Sequence, residues 1–295
     1  MKLKYLSIGL AMLATACQTD SKNNNANADS NLREDTGEYT LSKADMLQDY
    51  IDALDSTDVN SIGKANAKFK ELFNQGDSLN NDLAVVYFID FMDKVSLYGH
   101  QSAIDDELDY SSLVDIEVNG GKPADAVEDG YKKISQNGYR IRQSEGMYSI
   151  QINPFYIQKE FYPYISGNME IMLQQIAKEN LEGYAEDAAI IIPFQSLVQR
   201  VIWWEDFLKN NNNKAYSPLA REQYGRYFNA LTIGMDNTPA IESEQIAPYF
   251  QEAYSYLKDF APASDSYKQL QPYIELLEKG EIEQAKGMVA DLLKH

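Results

Sequence analysis

From residue 41 onward, the apolar positions of this 295-residue chain fall at helical spacing. Leu41, Ala44, Leu47, Ile51 and Leu54 follow one another at steps of three or four, and Met46, Tyr50 and Ala53 broaden the stripe, which predicts a helix with one buried face. Ser42, three residues before Asp45, is placed to cap it, with Asp standing where a capping box usually has Glu. Val59, Ile62, Ala65, Phe69, Leu72 and Phe73 predict a second helix, stopped by Gly76. Leu83 to Leu97 predict a third, more deeply buried and rich in Val, Tyr and Phe, stopped by Gly99. Short connections between such helices predict antiparallel packing.

The middle of the chain is less regular. Gly120-Gly121-Lys122-Pro123 breaks the pattern, and a short helix is expected over Ala124 to Gln136, ended by Asn137-Gly138. The period then changes: Tyr139 to Arg142 and Met147 to Ile152 alternate, in part, apolar with polar around Ser144-Glu145-Gly146, which predicts a β-hairpin whose Gly146 supplies positive φ. Helices return at Met169 to Leu181 and across Ala185 to Leu208, with Pro193 either kinking the latter or opening its second half. Its run Ala188-Ala189-Ile190-Ile191-Ile192 is followed by Gln195, Gln199, Arg200, Glu205 and Asp206, so it predicts a buried core helix rather than a membrane span. Lys209 to Lys214 predict an exposed loop, Ser217-Pro218 a helix start, and further helices are expected from about Ser243, Ser264 and Ile282. The expected fold class is therefore mainly α: a helical bundle or irregular helical array over 41–295 with one small β-hairpin near 139–152, open to division into two subdomains near 118–138. Glu278-Lys279-Gly280-Glu281-Ile282-Glu283-Gln284-Ala285 resembles the turn of a tetratricopeptide-type helical hairpin. No second copy recurs at the ~34-residue period of a true array, so the resemblance implies one helical hairpin and not a solenoid.

The N-terminus follows a different rule. Lys2 and Lys4 precede the apolar stretch Tyr5 to Leu13, and Ala14-Thr15-Ala16-Cys17 closes it with small residues. This is the order of a secretory signal peptide, and its apolar core is about half the ~20 residues a membrane span needs. Leu13-Ala14-Thr15-Ala16-Cys17 resembles the lipobox of bacterial lipoproteins, with Ala14 where Leu is usual. The resemblance implies lipidation at Cys17, palmitate among the acyl chains, and residence in the cell envelope as a membrane-anchored protein. One acyl chain holds a protein only marginally, at ~0.8 kcal/mol per buried methylene, and the two or three chains of such lipoproteins hold it stably. Gln18, rather than the Asp associated with inner-membrane retention in some bacteria, follows the cysteine, so the expectation is the outer membrane. Residues 18–40 are Asn-rich and free of large apolar groups, so they are expected to form a disordered polar tether spanning on the order of 25 Å.

Composition narrows the chemistry. Cys17 is the only cysteine, which excludes an internal disulfide and any multi-Cys metal site. The two histidines, His100 and His295, are too few for a His-rich metal hydrolase, and His-Glu-x-x-His is absent. His100 follows Tyr98-Gly99 and is expected to cap a helix C-terminus. Ser61-Ile62-Gly63-Lys64 matches Ser-x-x-Lys, but its Lys-Thr-Gly companion is missing. Gly120-Gly121-Lys122 lacks the rest of a P-loop, and the acidic stretch Asp105 to Glu117 has Tyr110 and Ile116 where a calcium loop needs Gly and Glu. No cofactor and no metal are expected. Loss of the residues before Cys17 removes Lys2 and Lys4 and no acid, leaving 24 basic against 45 acidic residues, a net charge of −21. Nucleic acid and anionic lipid surfaces repel such a domain, while protein, peptide or neutral glycan partners remain open.

One compositional excess can serve recognition. Tyr148, Phe155, Tyr156, Phe161, Tyr162 and Tyr164 crowd the hairpin and the Pro154 and Pro163 turns. Tyr combines a flat apolar body with a polar tip, which suits a sugar or peptide and equally suits packing the hairpin onto helices. Trp203-Trp204 is expected in the core. Three functions follow: a non-catalytic envelope lipoprotein binding another envelope protein, a glycan or peptide binder using residues 148–164, and a carboxylate-based hydrolase. A hydrolase needs only two acids about 5–10 Å apart, a condition that 45 acidic residues meet without informing. Cys17→Ala is expected to abolish incorporation of labelled palmitate; undiminished label in the variant would rule out lipidation at this residue.

Overall fold

Ser42 caps the first helix, α1 (Lys43–Asp52), through a capping box: its Oγ accepts from the Asp45 N–H at 3.1 Å, and the Asp45 carboxylate accepts from the Ser42 N–H at 3.2 Å. The computed structural model describes residues 42–76 and 78–293, with the backbone alone for 78–80. The signal segment, Cys17, the tether, Leu41 and His295 lie outside the described residues. α2 (Ser61–Leu72) and α3 (Ser78–Tyr98) follow where the stripes predict them and pack with α1. Phe69, fully buried on α2, is the centre of this packing, stacking on Phe73 and meeting Phe88 and Phe161 edge-on, while those two rings tilt against each other.

Two short turns, α4 (His100–Ala103) and α5 (Ile116–Asn119), lead to α6 (Glu128–Gln136). His100 begins α4 instead of ending α3, so the expected dipole role at a C-terminus does not apply; its Nε2 lies 3.4 Å from Asp106. Gly138 connects α6 to the hairpin at φ 81°, and a Cβ there would meet Tyr156 and Met92 at 2.6 and 2.7 Å, so only glycine fits. The hairpin pairs β1 (Tyr139–Ser144) with β2 (Met147–Ile152) in the register Ser144↔Met147. Glu145 and Gly146 both carry positive φ, as its two-residue turn requires.

α7 (Pro154–Phe161) and α8 (Gly167–Glu182) come next. The expected helix over Ala185 to Ile192 is not formed. Instead β3 (Ala185–Glu186) pairs with β4 (Ala189–Ile190), and α9 (Phe194–Asn210) starts only after Pro193. Proline removes a backbone donor and biases the residue before it away from helix, so the chain stays extended up to Ile192. Ile190 and Ile192 are buried and Ile191 is exposed, the alternation of an extended segment.

α10 (Ser217–Ile233) begins with Ser217 and Pro218 as its first two residues, one position inside the expected cap. Two more two-residue ladders follow: β5 (Gly234–Met235) with β6 (Thr238–Pro239), and β7 (Ile241–Glu242) with β8 (Gln245–Ile246). The last displaces the helix expected from Ser243, so α11 (Pro248–Phe260) starts later. Ser264 caps α12 (Asp265–Glu278), and α13 (Ile282–Leu292) packs back on it as the hairpin resemblance implied. The architecture is mainly α with small hairpins, and its buried apolar side chains form one continuous cluster within the compact unit 41–295. No helix among the described residues is long and apolar enough to cross a membrane.

α9 ties the second half together with polar groups. Trp204 is fully buried, and its Nε1–H donates to the Glu179 carboxylate of α8 at 3.1 Å. Glu179 is itself 3% exposed, and burial raises its pKa against the opposing help of Gln175 and Trp204. Trp204→Phe leaves the buried carboxylate with Gln175 but without its indole donor, so it is expected to cost about 1–3 kcal/mol in urea unfolding. In a Glu179→Leu background the same change is expected to cost less; an equal cost would assign the effect to ring packing alone.

Candidate functional site

Five elements, α3, β2, α7, α8 and α10, enclose a cavity of about 330 Å³. That lies at the small end of ligand pockets. Three hydrogen-bonded joints hold its walls. Asp82 of α3 accepts from the Ser166 N–H and Oγ–H at 2.8 and 2.6 Å, fixing α3 to the start of α8. Arg200 of α9 donates to Glu182 and the Gly183 carbonyl at the end of α8 and to Tyr227 of α10, fixing α8 to α10. Arg140 of β1, 1% exposed, donates to Gln151 on β2 at 2.7 Å and to the Asn180 carbonyl of α8 at 3.1 Å, fixing the hairpin to α8.

The floor is apolar: Ile89, Ile150, Ile157 and Leu173 are buried along it. Asp90 and Asp93 stand at the open rim on α3, three positions apart and so on one face. Glu222 and Arg226 face them from α10, four positions apart and paired at 3.4 Å. The cleft wall withdraws the Asp93 carboxyl from water although the residue is exposed at its outer edge. With Asp90 and Glu222 adding like charge and Arg226 opposing them, its pKa is pushed up to about 6. Burial raises Asp90 as well, against the pull of Lys94. Three carboxamides, Gln151, Asn180 and Gln223, line the cavity between floor and rim.

A shallower groove of about 520 Å³ runs on from the cavity, sharing Pro154 and Ala177 with it. Phe155, Gln158, Tyr162, Gln174 and Leu181 line it, and Phe155 and Leu181 remain substantially exposed. The six aromatic candidates therefore separate. Phe155 and Tyr162 meet in this groove. Phe161 is fully buried, Tyr164 meets Phe69 edge-on at 5.2 Å, and Tyr156 accepts from Asn66 at 2.9 Å, so these three pack α7 and the turn after it onto α2 and α3. Tyr148 stands apart, its hydroxyl donating to Asp109 at 2.6 Å and its ring edge against Tyr110.

The carboxylates and amides of the cavity were not singled out by sequence reasoning. The one available signal was Asp90 and Asp93 interrupting the apolar α3 stripe at i, i+3, and it is common to any solvated helix face. No family model, no curated protein and no solved structure matches the chain.

The Asp93 shift has a stability consequence. A carboxyl whose folded pKa exceeds its ordinary value of 3.8 stabilises the fold at lower pH, and that contribution is lost as pH rises through about 6. The groups facing it are Asp90 on α3, Glu222 and Arg226 on α10, and the Tyr139 hydroxyl on β1. Asp93→Asn is therefore expected to gain stability relative to the parent between pH 4.5 and 7.5, read from urea midpoints. A difference constant across that range would contradict the raised pKa.

Proposed function

We propose that this protein is an exported bacterial lipoprotein, held on the outer membrane through Cys17, whose helical domain is a non-catalytic module that binds an extended segment of another envelope protein. The observation that carries the reading is the continuity of the cleft and groove across Pro154 and Ala177, which gives a linear path lined by apolar side chains and carboxamides. A carboxamide offers both a donor and an acceptor, the pair that a peptide backbone presents. Apolar floor pockets along such a path suit side chains of an extended chain, and the backbone gives register. The lipid anchor and the polar tether fit this role, since they hold the module near envelope partners while leaving it clear of the headgroups.

A second reading is a carboxylate-based hydrolase, favoured by one observation: Asp93 is raised to about 6 beside other cleft carboxylates, the split in acidity that acid–base pairs use. The isoleucine and leucine floor beneath those carboxylates suits an apolar side chain better than the hydroxyls of a sugar. For a glycan ligand, the exposed ring of Phe155 and that of Tyr162 would be the stacking surface.

Cross-linked pull-down of the lipidated protein from native membranes, quantified by mass spectrometry, tests the proposal. The parent is expected to retain an envelope protein near stoichiometry, and Ala177→Trp, which fills the shared wall of cleft and groove, is expected to lose it. Retention by the folded variant would move the interface elsewhere. Capture of glycan alone, or turnover of cell-wall polymer abolished by Asp93→Asn, would favour the alternatives.

A further inference from the structure

The acidic end of the cleft differs from the rest of the acidic surface in one respect. Gln223 is 7% exposed and lines the cavity, yet its carboxamide has no hydrogen-bond partner among the described residues. Its amide atoms are not sealed from solvent, so it is through the cavity that they meet a partner. An amide oxygen that faces a ligand cavity is satisfied when a donor enters. The same cavity is rimmed by Asp90, Asp93 and Glu222; Arg226 lines it already paired with Glu222, and Lys94 acts on Asp90 from α3. Beneath the rim the floor is aliphatic, with Ile89, Ile150 and Leu173 buried.

We infer that this end of the cleft is an anchor pocket for a lysine or arginine side chain of the bound peptide, its charged head among Asp90, Asp93 and Glu222, a donor satisfying Gln223, and its methylene stem on the isoleucine floor. This rests on the peptide-binding reading and names the residue that sets its specificity. Long cationic side chains lay their stems on apolar surface and keep their heads at polar groups, which is the division this cavity offers. The groove past Ala177, with Phe155 and Leu181 exposed in it, takes an apolar neighbour of the same segment. The ligand class is therefore a basic–apolar extended segment, complementary in charge to a chain of net −19.

The test uses the full chain in detergent solution, with isoleucine-methyl NMR titrations of three probes: N-acetyl-lysine methylamide, its norleucine counterpart, and n-hexylamine. The lysine probe is expected to shift the Ile89 and Ile150 methyls saturably, with the norleucine probe at least tenfold weaker. The double variant Asp93→Asn/Glu222→Gln is expected to weaken the lysine probe at least tenfold, and Gln223→Leu to weaken it several-fold, with Val118→Ala, exposed and lining neither cleft nor groove, leaving it unchanged. Equal binding of lysine and norleucine probes, or no loss in the double variant, would overturn the inference. Binding of hexylamine alone would assign the pocket to a free amine and overturn the peptide anchor. The double variant also separates this inference from the reading beneath it. If membrane pull-down recovers the partner equally with parent and double variant but not with Ala177→Trp, the groove reading stands and the cationic anchor fails.

Discussion

A buried carboxylate on α8 is the constraint around which the C-terminal helices are arranged. Glu179 sits where an unpaired charge would be prohibitive, and Gln175 and Trp204 supply donors at 2.7 and 3.1 Å. Trp204 can do so only if α9 crosses α8 in one register. The same register delivers Arg200, one turn earlier, to Glu182, Gly183 and Tyr227, and Glu205, one residue later, to the backbone of Asp265 and Ser266 at the start of α12. Carboxylate at a helix N-terminus is favourable in itself, and here it also locks α12 onto α9. One helix thus satisfies polar groups on three neighbours. Apolar packing alone tolerates sliding, whereas these donors and acceptors meet in a single arrangement.

The cleft inherits its shape from this arrangement. Its α8 and α10 walls are the two helices that Arg200 bridges, and its α3 wall is fastened by Asp82 at the first turn of α8. The hairpin wall depends on Arg140, a nearly inaccessible cation whose partners are Gln151, the Asn180 carbonyl and, at 3.6 Å, Asp115. Asp115 holds positive φ to present its carboxylate to both Arg140 and Arg142. Gln151, whose oxygen accepts from Arg140, also lines the cleft. The polar interior of the fold and the polar lining of the site are parts of one network.

What the sequence disclosed follows from how local each signal is. Ser42 and Asp45 cap α1 as their spacing required, and Gly146 with alternating neighbours placed the hairpin and all of β2, while β1 runs two residues past Arg142 to Ser144. Ser264 opened α12 and Pro193 opened α9, both one-residue chemical signals. The failures lie where positive φ falls on residues that do not advertise it: Asp187-Ala188 and Ser243-Glu244 turn two hairpins without glycine, and helix spacing was read through them. For short apolar runs, periodicity cannot separate strand from helix. The aromatic excess around residues 148–164 was legible, but its division was not, since Phe161 and Tyr164 turn toward Phe69 while Phe155 and Tyr162 turn to the groove. Asp90, Asp93, Glu222 and Gln223 come together only across α3 and α10, and one carboxylate among 45 acidic residues carries no mark of its partners.

The acidity of the whole chain and that of the cleft act at different ranges. A net charge of −19 repels anionic lipid headgroups and orients approaching cationic segments over distances up to about a Debye length, ~8 Å at physiological salt. That field raises encounter rates and is nearly indifferent to where on the surface the cation arrives. Discrimination must come from the place where charge, apolar floor and unpaired amide coincide, and the cavity between α3 and α10 combines the three. A cation held elsewhere on the surface gains a screened ion pair worth ~0–1 kcal/mol. In the cleft it gains in addition the burial of its stem and a hydrogen bond to the Gln223 amide in place of water. Steering by the surface and retention by the cleft are thus separable, and only the second depends on the register that Glu179 and Trp204 impose.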